Sequence, residues 1–277
     1  MASINIRTMA PDLIVPPVTD EPPAPGRRVR RALDGFTGTR VYHTLFLPTN
    51  WNPARRFPVI VEYPGNGPYV SALGDVCSGE VEDCALGYGL SAGRDFIWIG
   101  LPFINREHTG NERYWWGDVA MDVDYCCRAV RQVCQEFGGD QRAVFLTGFS
   151  RGAIACNYIG LHNDAIAGLW CAFLPHSHYD GVVRRDYPAS DRAAALMRLR
   201  RLNGRPSLIT QERTDNPSCA LPATRSFLET SGVQAPFTFM ELPFHNHCAD
   251  WLLRALSERE QVRAWVQRVR HSASERA

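Results

Sequence analysis

Apolar runs and amphipathic stretches alternate along most of the chain. Runs rich in β-branched and aromatic residues predict strands at 57–63, 95–103, 143–149, 168–175, 206–213 and 237–244. Stretches with helical periodicity predict helices at 118–137, 152–162, 190–203, 221–231 and 249–270. This alternation predicts an α/β fold with a doubly wound, mostly parallel sheet flanked by helices. A hairpin around 40–48 is expected to add antiparallel edge strands.

Length and composition predict one compact domain. The chain has 277 residues, of which 45% are hydrophobic, and this is near the upper size for a single core. Five prolines lie between residues 11 and 23, and Pro25 follows. The sequence therefore predicts an extended N-terminal arm over 1–26, either packed on the surface or disordered, and a single folded domain over 27–277.

The segment 143–161 has the order of elements required by a nucleophile elbow. An apolar run, AVFLTGF, leads into Gly148-Phe149-Ser150-Arg151-Gly152, and a stretch with helical periodicity follows. In a G-x-S-x-G elbow, a sharp turn between strand and helix exposes the serine above the sheet. Ser150 is the predicted nucleophile.

A second match to the same motif has the opposite context. Gly89-Leu90-Ser91-Ala92-Gly93 follows a Gly-rich segment and precedes a predicted strand. Ser91 would lie at the start of that strand, on the side away from the ligand-binding edge. This motif is therefore not expected to supply the nucleophile.

A serine needs a base and an orienting acid, because its hydroxyl is a weak nucleophile near neutral pH. Asp215 is the preferred acid because it lies in a turn-forming cluster after the strand 206–213. Glu212 is the alternative, but it lies inside the apparent strand. His247 is the preferred base because it lies farther past the end of the strand 237–244 than His245, the other candidate.

The order Ser150, Asp215, His247, with a strand before each, resembles the α/β-hydrolase fold family. The resemblance covers about residues 40–270 and implies an oxyanion hole made of two backbone N–H groups. By position, these are the N–H groups of Arg151 and of Asn66, with Gly67 as a substitute for Asn66. The loop departs from the family pattern at Pro64, where a histidine is common.

Two loops at the carboxyl ends of the strands predict a polar and aromatic substrate face. Trp115 and Trp116 are adjacent in a polar loop, where they would form a platform or anchor the loop by burial. His176 and His178 lie after the strand 168–175, where they would hydrogen-bond a substrate.

These residues predict a serine hydrolase of carboxylic esters that acts through an acyl-enzyme. The polar face favours short-chain or carbohydrate-linked esters over long-chain lipids. Two alternatives remain open: an acyltransferase with an alcohol or sugar acceptor, and a non-catalytic binding protein that has kept the fold. The partner is expected to be a small-molecule or saccharide ester.

Composition argues against several other classes. A formal charge of +1 and the absence of a long basic patch argue against nucleic-acid binding. All thirty basic residues are arginine, which excludes a lysine Schiff base. Neither a membrane span, a metal motif nor a cofactor motif is found in the sequence. The sequence predicts a soluble protein, cytoplasmic or exported with its signal absent from this chain, and leaves the oligomeric state open.

Nine cysteines leave at least one thiol unpaired. Their positions allow a Cys77–Cys84 and a Cys219–Cys248 disulfide. The remaining five lie in apolar patterns, where buried free thiols are expected.

Overall fold

A nine-stranded sheet runs through the protein. The computed structural model describes residues 4–275. The strands in chain order are β1 (Val18–Thr19), β2 (Arg28–Arg31), β3 (His43–Phe46), β4 (Phe57–Tyr63), β5 (Tyr69–Val70), β6 (Val76–Cys77), β7 (Ile97–Gly100), β8 (Phe103–Ile104), β9 (Asn111–Glu112), β10 (Gly139–Phe149), β11 (Ala172–His176), β12 (Ser207–Glu212) and β13 (Phe237–Leu242). Two short ribbons, β5–β6 and β8–β9, lie outside the main sheet.

Helices connect the strands. They are α1 (Leu86–Ser91), α2 (Val119–Glu136), α3 (Arg151–Tyr158), α4 (Asp164–Ala167), α5 (Arg192–Leu199), α6 (Leu221–Glu229) and α7 (Ser257–Glu275). Short 3₁₀ turns lie at Ile6–Thr8, Val81–Asp83, Arg200–Leu202 and Asp250–Leu253. No helix among residues 4–275 is long and apolar enough to cross a membrane.

The sheet has the order β1-β2-β3-β7-β4-β10-β11-β12-β13. Within this order, the six neighbouring strands β7, β4, β10, β11, β12 and β13 are parallel to one another. Strand β3 is antiparallel to both of its neighbours. The prediction of a mostly parallel, doubly wound sheet is confirmed. The carboxyl ends of β4, β10, β11, β12 and β13 consequently meet at one edge. The hairpin expected around 40–48 is not formed, because this stretch contains the single strand β3, whose antiparallel partners are β2 and β7.

The boundaries of some elements differ from the sequence prediction. The last helix was expected at 249–270, but extended backbone at Arg254 separates a 3₁₀ turn from α7. Helix α1 was not predicted, because its sequence contains Gly87 and Gly89 and carries a weak helical pattern. Strand β11 ends at His176, one residue beyond the expected end of its strand.

Both faces of the sheet are covered. On β4, Val59 and Val61 pack in a cluster with α2 and α3, whereas Ile60 packs with α1 and α7 on the other face. All three side chains are fully buried. This continuous apolar pattern is expected for a central parallel strand, whose two faces both contact helices.

The N-terminal segment lies along the body of the protein. Ile6 is fully buried, and Asp12 forms an ion pair with Arg259 of α7. Val18–Thr19 pairs with β2 at the edge of the main sheet. The division into an arm over 1–26 and a domain over 27–277 remains a prediction.

Candidate active site

The turn between β10 and α3 holds Ser150 in a strained conformation. Ser150 has φ 53° and ψ −110°, and its N–H donates to the carbonyl of His176 at 3.0 Å. A Cβ at Gly152 would lie 2.0 Å from the carbonyl oxygen of Tyr63, and one at Gly148 would lie 2.3 Å from Gly152. Only glycine allows the two strands and the helix to approach so closely. This is the geometry that a nucleophile elbow requires.

Ser150 begins a chain of hydrogen bonds that crosses the carboxyl edge of the sheet. Its Oγ lies 3.0 Å from Nε2 of His247, and Nδ1 of His247 lies 2.7 Å from Oε1 of Glu212. Glu212 is the last residue of β12, and His247 lies in the loop after β13. The hydrogen bonds therefore run from a serine through an imidazole to a carboxylate, as they do in a Ser-His-acid catalytic triad.

The acid in contact with His247 is Glu212 and not Asp215, the residue preferred from the sequence. Glu212 is 5% exposed, whereas Asp215 lies three residues farther along in the exposed loop. The preference for Asp215 rested on its turn-forming neighbours. The strand ends at Glu212 itself, so the side chain of this residue already reaches the edge where His247 lies.

Ser177 is a fourth member of the hydrogen-bond chain. Its buried Oγ donates to Oε1 of Glu212 at 2.8 Å and lies 2.8 Å from Nδ1 of His247. The backbone of Ser177 has φ 90°, an uncommon value for a residue other than glycine. Ser177 was not among the predicted site residues, although it follows β11 on the predicted ligand-binding edge.

The ring of His247 is packed on several sides. Phe149 lies 4.6 Å from it between ring centroids, His178 lies 5.2 Å away, and Tyr69 meets it edge-on at 5.4 Å. His245, the alternative base, lies two residues earlier and lines a cavity together with His247. The contact with Ser150 is made by His247.

The surroundings of Glu212 and His178 lower the pKa values of both groups. Burial alone would raise the pKa of Glu212, but its hydrogen bond and charge interaction with His247 hold that pKa at about 2. Burial and the nearby His247 lower the pKa of His178 to about 3. Near neutral pH, Glu212 is thus a carboxylate and His178 is neutral.

The two histidines expected to bind substrate have different surroundings. His176 is 1% exposed, its Nδ1 lies 3.0 Å from Oγ1 of Thr210, and its Nε2 lies 3.1 Å from the carbonyl oxygen of Cys248. Both ring nitrogens are engaged inside the protein, which contradicts a direct contact with substrate. His178 is partly exposed and lines a cavity of about 440 Å³ beside His247.

Trp115 and Trp116 belong to an aromatic cluster beside the site. Trp116 stacks on Tyr158 with ring centroids 4.8 Å apart, so it anchors the loop. Trp115 is partly exposed and packs against Tyr187 at 5.1 Å. Trp116 is partly exposed as well, so exposure does not distinguish the two rings.

The loop after β4 lies next to the nucleophile turn. Oδ1 of Asn66 accepts a hydrogen bond from the N–H of Trp115 at 2.8 Å, which ties this loop to the tryptophan loop. The N–H of Gly67 donates to the carbonyl of Arg113 at 2.8 Å, so this donor is already used. Arg151 opens α3, where the first N–H groups of a helix have no partner within it.

The side chain of Arg151 is fully buried and joins three loops. Its guanidinium donates to the carbonyls of Trp115 at 2.7 Å, Gly65 at 2.9 Å and Gly79 at 3.2 Å. It also lies over the ring of Phe103, 4.1 Å from the centroid. Because these contacts use it internally, the guanidinium is a structural clamp around the nucleophile turn.

Other candidates from the sequence lie elsewhere in the protein. Ser91 is the last residue of α1, and its Oγ donates to the carbonyl of Gly87 at 2.9 Å. It therefore ends a helix and does not begin a strand. Cys77, Cys84, Cys219 and Cys248 are free thiols, so neither of the two disulfides considered from the sequence is present.

Solved structures resemble this architecture at low sequence identity. A thermostable esterase matches with a TM-score of 0.53 and 15% identity over 87% of this chain and 62% of its own. An acetyl ester-xyloside bifunctional hydrolase from Caldicellulosiruptor lactoaceticus matches with 0.59 and 13% over 89% and 97%. Esterase 2 from Thermogutta terrifontis, phosphoramylated by tabun, matches with 0.57 and 15% over 90% and 96%.

The chain has the α/β-hydrolase fold. It spans less than two thirds of the thermostable esterase but nearly the whole length of the other two proteins. No protein family model matches the chain, and no curated protein matches it in sequence. The α/β-hydrolase fold is thus established by architecture, as the resemblance in the sequence implied.

The clamp made by Arg151 can be tested by hydrogen exchange. In Arg151→Met, the amides of Gly67 and Trp115 are expected to exchange at least about tenfold faster, because hydrogen bonds to a charged group stabilise by about 1.5–3 kcal/mol each. Arg142→Met is the control, since Arg142 lies on β10 with 62% of its side chain exposed. Unchanged exchange at both amides in Arg151→Met would contradict the clamp.

Proposed function

We propose that the protein is a serine hydrolase that cleaves carboxylic esters through an acyl-enzyme. The observation that carries this proposal is the continuous hydrogen-bond chain from Ser150 through His247 to Glu212. A serine paired with an imidazole, which is itself held by a buried carboxylate, supports nucleophilic catalysis. The fold shared with several esterases agrees with this activity.

In the first step, Oγ of Ser150 attacks the ester carbonyl carbon while Nε2 of His247 accepts the hydroxyl proton. Glu212 holds Nδ1–H of the imidazole and stabilises the imidazolium that forms. The negative charge develops on the carbonyl oxygen, where the N–H groups of Arg151 and Asn66 are the proposed donors. Asn66 is preferred to Gly67 because the N–H of Gly67 is bonded to Arg113.

The tetrahedral intermediate then collapses. His247 returns the proton to the leaving oxygen, the carbon–oxygen bond of the ester breaks, and an acyl-Ser150 intermediate remains. A water molecule, deprotonated by His247, attacks this intermediate and releases the acid. Ser150 regains its proton from His247, so each cycle consumes one ester and one water.

We infer that the substrate is a short-chain or carbohydrate-linked ester. His247 protonates the leaving alcohol, so the cavity beside it is the place for the alcohol portion. Most side chains that line this cavity can hydrogen-bond; they include Tyr69, His178, Gln211, Arg213, Thr214, Asp215, Asn216 and His245. Such a lining suits a polyhydroxylated alcohol better than an aliphatic chain. The Caldicellulosiruptor lactoaceticus neighbour, an acetyl ester-xyloside hydrolase, is consistent with this substrate class.

Removal of the nucleophile tests the reaction class. Ser150→Ala is expected to hydrolyse 4-nitrophenyl acetate at less than about a thousandth of the wild-type rate, because no acyl-enzyme can form. It should also resist covalent labelling by a fluorophosphonate. Ser91→Ala provides the control and should keep both properties. Full activity in Ser150→Ala would reject the proposed nucleophile.

The identity of the acid is tested by comparing two neutral substitutions. Glu212→Gln is expected to lower kcat by about 10⁴-fold, because the amide cannot stabilise the imidazolium or impose its tautomer. Asp215→Asn should leave kcat within about twofold, because the carboxylate in contact with Nδ1 of His247 is that of Glu212. Steady-state kinetics with the same ester decide between them, and the reverse ranking would favour Asp215.

Acyl and alcohol preference can be measured together. An acetylated xyloside is expected to give a higher kcat/KM than a palmitoyl ester, because hydrogen-bonding groups line the cavity beside His247. A matched pair of acetyl esters, one of a sugar and one of a long-chain alcohol, isolates the contribution of the alcohol. Preference for the palmitoyl ester or the long-chain alcohol would contradict the inferred class.

A further inference from the structure

A buried carboxylate holds the backbone of His247. Asp75 precedes β6, and its side chain is fully buried. Its Oδ2 accepts from the N–H of His247 at 3.0 Å and from Oγ of Ser71 at 2.9 Å. Its Oδ1 accepts from Nδ2 of Asn246 at 2.9 Å. Asp75 therefore fixes the main chain on which the imidazole is mounted.

Arg7 supplies the positive charge that this carboxylate needs. Its Nε donates to Oδ1 of Asp75 at 2.8 Å, and its Nη1 donates to Oδ2 of Asp250 at 2.7 Å. Asp250 lies three residues after His247. Arg7 therefore pairs both with Asp75, which binds the backbone of His247, and with an acid in the loop that carries His247. An ionised buried carboxylate is costly without a paired cation, and the N-terminal segment provides that cation.

The residues before Arg7 complete the arrangement around the loop. The N–H of Ile6 donates to Oδ1 of Asn246 at 2.9 Å, and Nδ2 of Asn246 donates to Oδ1 of Asn5 at 3.1 Å. Ile6 is fully buried in the same apolar cluster as Phe149, the residue before Ser150. The N-terminal segment thus contacts the loop of the base through charge, hydrogen bonds and packing.

We propose that Asp75 is a positioning residue for His247, and that residues 5–7 hold Asp75 and Asn246 in the geometry that the base requires. This inference rests on the proposed function, because it takes His247 to be the base that accepts the proton of Ser150. The N-terminal segment then supports the active site by positioning His247, although none of its groups touches the reacting atoms.

The expected kinetic effect follows from the distance dependence of proton transfer. A displaced His247 still allows substrate to bind, but its Nε2 no longer lies in line with Oγ of Ser150. Misplacement by about 1 Å can lower the rate by about a hundredfold. Loss of the contacts to Arg7 should consequently lower kcat and leave KM nearly unchanged.

The experiment uses full-length Arg7→Met and Asp75→Asn variants with 4-nitrophenyl acetate as substrate. Both variants are expected to lose about ten- to a hundredfold in kcat, with KM within about twofold. Arg7→Lys keeps the charge and one of the two ion pairs, so it should recover part of the loss. Hydrogen exchange over 244–250 is measured in parallel and should be faster in Arg7→Met.

Arg259→Met is the matched control. Arg259 lies on α7 and forms another ion pair of the N-terminal segment, with the exposed Asp12 at 2.8 Å between Nη2 and Oδ2. Its loss should lower the thermal stability without changing kcat or the exchange of 244–250. This control separates general destabilisation from a specific effect on the loop of His247.

Three results would overturn the inference. One is an unchanged kcat in Arg7→Met and Asp75→Asn while the wild type is active and Ser150→Ala is not. Another is an equal loss of kcat in Arg259→Met at matched thermal stability. The third applies if the wild type hydrolyses no ester, in which case the proposed function fails. Hydrogen exchange alone then tests whether the N-terminal segment holds the loop of His247. Unchanged exchange over 244–250 in Arg7→Met would reject the inference.

Discussion

The approach of α3 to the end of β4 is the constraint on which the candidate site depends. Gly152 lies so close to the carbonyl oxygen of Tyr63 that a side chain there would overlap it. This contact fixes where the helix begins, and with it the unusual backbone of Ser150. It also places the loop after β4 beside the nucleophile turn. Backbone sterics therefore determine the relative position of the serine and the proposed oxyanion donors.

The strand pattern and the elbow could be predicted because both depend on local sequence. Apolar runs identified the parallel strands, and the glycines around Ser150 indicated a close approach of backbones. The acid depended on where β12 ends and on the direction of a single side chain. A shift of one residue reverses that direction in a strand. The turn-forming residues around Asp215 favoured it as the acid. Strand β12, however, ends at Glu212 and so places this residue at the carboxyl edge of the sheet.

Burial at the end of β11 could not be predicted for a similar reason. His176 pairs with Phe149 and Thr210 in neighbouring strands, so it belongs to the sheet and not to the loop after it. Ser177 and Asp75 were missed because their partners lie 35 or more residues away in sequence. Contacts between distant loops are set by packing, which no local pattern specifies.

The protein has no lysine, and the buried Arg151 binds carbonyls around the site. A planar guanidinium offers several donors in a fixed fork, so one residue can join three loops where an ammonium group would act as a point charge. Guanidinium groups remain protonated across the neutral range. The clamp made by Arg151 therefore does not titrate there. A change in activity with pH between about 5 and 8 would therefore report on groups other than Arg151, among them Asp180, whose pKa burial raises to about 6.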